Sequence, residues 1–218
     1  MLKLSISLLL VIMLLWAPSA FAISFTFSGA TDGGTASAIM DISYFPDRIV
    51  ATVDNTSPLI LNDGTGTNSP ALTGFGFSTT PNDVTVTRWS LEDRNETNIS
   101  SLWSLQTNYD PNSGLNIFLD FYADTNNGSQ GGLYNPYVTS GFGGPPRYFT
   151  RATLTLFADI GNQTLSFSDG YARFQNVGLD GEGSLKTVSV PEPGTMLMLG
   201  FVLLGLVGVS RKRFNNRN

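Results

Sequence analysis

Apolar and polar residues alternate along most of the chain between positions 23 and 190. The run ISFTFS at 23–28 places apolar side chains on one face and hydroxyls on the other. Ala36, Ala38, Met40, Ile42 and Tyr44 share one face of a second run. The same period of two recurs at 48–54 (RIVATVD), 72–77 (LTGFGF), 84–91 (VTVTRWSL), 115–123 (LNIFLDFYA), 152–157 (ATLTLF) and 171–177 (YARFQNV). That period belongs to β-strands with one buried face. Each run is short and bounded by Gly, Pro, Asn or Asp, the residues of turns. In VTVTRWSL the apolar register slips between Val86 and Trp89, which predicts a β-bulge. Residues 185–190 are expected to form a last strand or a linker. Segments 55–70, 124–132, 139–146 and 161–170 read as loops, the last holding only Leu165 and Phe167 between turns. No soluble amphipathic helix is evident. About eight short strands predict an all-β fold, a single antiparallel β-sandwich with a jelly roll as one version.

Both ends break this pattern. Residues 1–22 carry Lys3, an apolar core and then APSAFA, with Ala20 and Ala22 at the −3 and −1 positions of an A-x-A cleavage site. This is the layout of a secretory signal peptide, and the mature chain is expected to begin at Ile23. Near the other end, residues 196–209 contain no charged side chain. Extended to 17 or so residues, a helix there spans roughly 25 Å, enough for the thin end of a bilayer. A transmembrane helix over 195–210 is therefore expected. Arg211, Lys212 and Arg213 follow it and set a cytoplasmic C-terminus. Before it stand Val190, Pro191, Glu192, Pro193 and Gly194. The two prolines hold this stretch extended, a form suited to a processing enzyme's cleft. The expected division is thus 1–22 signal peptide, 23–189 ectodomain and 190–214 sorting segment.

Val190-Pro191-Glu192-Pro193, the apolar stretch and Arg211-Lys212-Arg213 together resemble the PEP-CTERM sorting signal of Gram-negative bacteria. The resemblance implies recognition and removal of the tail by exosortase after cleavage by signal peptidase. It also implies association with exopolysaccharide and biofilm at the cell surface or beyond it. The stretches ATVDNTSP at 51–58, LTGFGF at 72–77 and ARFQNVGLDGEGS at 172–184 are similar to segments of other small ectodomains carrying this signal; they transfer no site.

Composition narrows the chemistry. The whole chain has a formal charge of −5, but residues 23–190 carry 16 acidic and 7 basic side chains, close to −9. Nucleic acid is a poor partner for such a domain. There is no cysteine and no histidine. Disulfides, thiolate chemistry, His-based triads and His-ligated metals are thereby excluded. Carboxylates remain: Glu92, Asp93 and Glu96, then Asp120 and Asp124, then Asp180 and Glu182. A glycosidase would need two of them across a cleft. Asp124, Asn126, Asp180 and Glu182 sit in Asn/Asp/Gly turns and are candidate calcium ligands. Trp103, Tyr134, Tyr137 and Tyr148 are candidate glycan contacts. Lys186 lacks the S-x-x-K partner of a Ser-Lys nucleophile. The expectation is an exported, non-enzymatic surface or matrix protein with no cofactor, calcium aside. A carbohydrate-binding module is the second reading and a carboxylate hydrolase the third.

Overall fold

The computed structural model describes residues 22–58, 60–61, 67–68, 70–107, 116–121, 132–133, 148–178 and 183–189. These form strands β1 (Ala22–Thr31), β2 (Gly34–Phe45), β3 (Arg48–Asn55), β4 (Ile60–Leu61), β5 (Thr67–Asn68), β6 (Ala71–Thr80), β7 (Val86–Asp93), β8 (Trp103–Thr107), β9 (Ile117–Phe121), β10 (Gly132–Leu133), β11 (Tyr148–Phe149), β12 (Arg151–Ala158), β13 (Ser166–Val177) and β14 (Gly183–Ser189). A single 3-10 turn, Ser100–Leu102, precedes β8. No helix among the described residues is long and apolar enough to cross a membrane. The segment expected to do so, 195–210, lies outside them, as does the signal peptide up to residue 21.

The first sheet has the order β1-β2-β3-β12-β7. The second is built on β6, which pairs with β13 on one side and with β9 and β10 on the other; β14 and β8 extend it. All pairings are antiparallel except β10 with β11. β4 and β5 form a small hairpin inside the stretch expected to be loop. The chain is all-β, as the alternation predicts. A jelly roll switches sheets at each step, whereas here β1, β2 and β3 stay together as a meander. Alternation between sheets begins only after β3. The β1–β2 turn explains the tight start: Asp32 and Gly33 have φ of 48° and 75°, both positive, as a two-residue type I′ turn requires.

The two sheets enclose one core. Phe25, Phe27, Met40, Ile42, Val53 and Leu154 from the first sheet meet Phe75, Phe77, Leu119, Ala172 and Phe174 from the second. Ala36, Ala38, Met40 and Ile42 are all buried on one face of β2, and Tyr44 packs at its margin. The expected bulge is present. Phe157 pairs with Arg88 but Ala158 pairs with Val86, so Thr87 is the extra residue. Its hydroxyl donates to the Phe157 carbonyl at 3.0 Å, which satisfies an acceptor beside the broken ladder.

Besides the two-residue strands β4, β5, β10 and β11, two longer strands differ from expectation. β8 was not legible, because WSLQT offers only Trp103 and Leu105 as an apolar pair. β13 begins at Ser166 rather than 171, so part of the expected 161–170 loop is strand. Asp169 and Gly170 read as a turn, yet Gly170 is buried in β13, where an added Cβ would lie 2.5 Å from the Phe25 ring.

Candidate functional site

The last described residue, Ser189, lies opposite Gly170 at the end of β14. β14 pairs with β13 on one side only. Its other side faces β1 across the margin of the sandwich. The Thr187 hydroxyl donates to the Ser28 carbonyl at 3.4 Å, Leu185 packs against Gly29, and Gly183 approaches Asp32. β14 therefore runs antiparallel to β1, with its first residue beside the β1–β2 turn. By that spacing Ser189 falls about level with Thr26, midway along β1, which starts at Ala22 opposite Ser43.

β14 is weakly held. None of its side chains is fully buried, Leu185 alone packs on the core, and Val188 is 67% exposed. An edge strand of this kind can be drawn away from its sheet at low cost.

Beyond the level of Ala22, the outer face of the first sheet carries the cross-strand row Phe45–Arg48–Phe157–Arg88. The Arg48 guanidinium lies 4.7 Å from the Phe45 ring centroid, and Arg88 lies 3.8 Å from that of Phe157. Arg48 also pairs with Asp47 at 3.1 Å, an exposed contact of small energetic weight.

The residues singled out from the sequence fall into three groups. Val190, Pro191, Glu192, Pro193, Gly194, Arg211, Lys212 and Arg213 lie outside the described residues, as do Ala20, Tyr134, Tyr137, Asp124, Asn126, Asp180 and Glu182. Tyr148 is described only as backbone in β11. Trp103 is corrected by its placement. It is 4% exposed, wedged edge-on between Phe75 and Phe121 with centroids at 5.6 and 5.3 Å. A ring so enclosed has no face to offer a sugar. Among the described residues its Nε1–H has no hydrogen-bond partner.

Two of the candidate carboxylates, Asp93 and Asp120, have structural partners. Asp93 Oδ1 accepts the backbone amides of Asn95 and Thr97, closing the turn after β7. Asp120 pairs with Arg173 on the outer face of the second sheet. Among the described residues no group of three or more acidic side chains is placed to hold a metal ion.

Comparison with known proteins bears on the tail. A family model described as the PEP-CTERM protein-sorting motif matches residues 189–213. The chain carries that motif, and the match starts on the last residue of β14. The motif implies an extracellular protein targeted to exosortase. No curated protein and no solved structure matches the chain.

Proposed function

We propose that the chain is an exported surface or matrix protein whose tail is removed by exosortase and whose β domain works by binding rather than catalysis, in association with exopolysaccharide. The observation that carries the reading is the sorting motif at 189–213, joined directly to the last strand of a compact domain. In the precursor, 195–210 crosses the inner membrane and 211–213 stays in the cytoplasm. The signal peptide directs the body of the chain to the other side.

The chemistry of the residues supports a non-enzymatic role. No His or Cys is present in the chain, and Asp93 and Asp120 are engaged in structure. The reading is tested by fractionating cells that express the wild-type chain and a Pro191→Ala/Pro193→Ala variant. The wild type is expected outside the cell in shortened form, and the variant at full length in the membrane. Equal release of both would remove the sorting step from the account.

A further inference from the structure

We propose that a groove on the outer face of the first sheet is a binding site for a neutral saccharide. The groove has a volume of about 460 Å³ and lies where β3 ends, β12 begins and β7 gives way to its turn. On β2 the groove takes in Ile39 and Asp41, which lie opposite Thr26 and Ser24 of β1.

The side chains come from β2, β3 and β12 and from residues just outside β3, β12 and β7. Asp54 and Arg151, opposite each other in register, form a two-pronged ion pair with N–O distances of 2.7 and 2.8 Å. The pair raises the Arg151 pKa, first through the hydrogen bond and charge of Asp54, against desolvation, and then through the nearby charge of Asp41. On either side of this fixed pair stand Asp41 and Arg94, both exposed, with neither side chain hydrogen-bonded to another described residue. Ile39 lines the same groove at 37% exposure, one of two large apolar side chains that the described surface leaves open. Thr56 adds a hydroxyl at the rim, fixed by donation to Ser37 Oγ.

This set selects its ligand by elimination and by fit. Two carboxylates and two guanidiniums balance, so a polyanion gains no net attraction. A divalent cation would meet the carboxylates of Asp41 and Asp54 beside the guanidiniums of Arg94 and Arg151, which repel it. A saccharide hydroxyl donates and accepts at once. It can donate to Asp41 and accept from Arg94, while a C–H face of the ring rests on Ile39. The volume lies within the usual range for small-ligand sites. The inference deepens the extracellular reading and rests on it for the kind of polymer met; the groove's own chemistry is independent of export.

The test uses the full chain, purified in a detergent without a sugar headgroup. It is titrated with neutral glucan, mannan and galactan hexasaccharides, and with an oligogalacturonate as the acidic counterpart. At least one neutral hexasaccharide is expected to bind, with little change on adding salt. Asp41→Asn and Arg94→Gln are each expected to weaken it by about tenfold, the loss of one charge-assisted hydrogen bond. Arg88→Gln, at the other end of the same face, is expected to change nothing. Both groove side chains are exposed, so the variants should keep the wild-type melting curve. Failure of every neutral sugar to bind would overturn the proposal, as would preference for the acidic oligomer or indifference to both groove substitutions. Binding by a chain that cells do not export would leave the groove standing and sink only the matrix reading.

Discussion

Asn55 is buried at the end of β3, where its carboxamide nitrogen donates to the carbonyls of Pro70 and Leu133 at 2.8 and 2.6 Å. Its oxygen accepts the Ser57 amide at 2.9 Å. One side chain thus ties β3 to the approaches of β6 and β10. Asn55→Leu would leave two buried carbonyls and an amide without partners, at a cost of about 3 kcal/mol. The expected readout is a lower denaturation midpoint with an unchanged slope. Gly76 is fixed by a different constraint. A Cβ there would collide with the Ile117 carbonyl and press on Phe118, whose ring packs edge-on against Tyr171 at 5.4 Å. Backbone cannot yield as a side-chain tip can, so Gly76→Ala should destabilise by about 2–3 kcal/mol. A melting curve within error of wild type would contradict that packing. In the sequence both residues look like ordinary loop and strand residues. Their importance lies in partners distant along the chain, which local patterns do not display.

The strands themselves were readable wherever four or more residues alternate with one face in the core. β2, β3 and β12 follow the apolar pattern to within a residue or two, because nearly all their inward side chains are apolar. β8 escaped because two apolar residues do not define a period, and the start of β13 because Asp-Gly normally signals a turn. The sorting motif was legible because its parts are contiguous. The groove was not, because Asp41, Asp54, Arg94 and Arg151 meet only once β2, β3, β7 and β12 are placed side by side. β14 carries the prediction at this scale. With no fully buried side chain it should open before the rest of its sheet. Its amides are expected to exchange with solvent faster than those of β3 and β12, which lie inside the first sheet. Leu185→Ala should cost about 1 kcal/mol, against about 3–5 for Phe174→Ala on the neighbouring strand. Equal protection of β14 and β12 would show that β14 is an integral part of the sheet.

For the whole molecule, the arrangement of the ends matters most. A signal segment is expected before Ile23, and the sorting motif begins at Ser189, so nearly everything between them belongs to the β domain. Removal of both ends would leave an acidic sandwich close to −9, from which the terminal basic residues have gone. The most direct measurement is the intact mass of the protein recovered outside the cell, set beside that in the membrane fraction. The account predicts a species that starts at Ile23 and ends between Pro191 and Thr195, alone or with the added mass of whatever it was joined to. A species ending at Asn218 and confined to the membrane would contradict it, and would make the proline-flanked segment a plain linker to a permanent anchor.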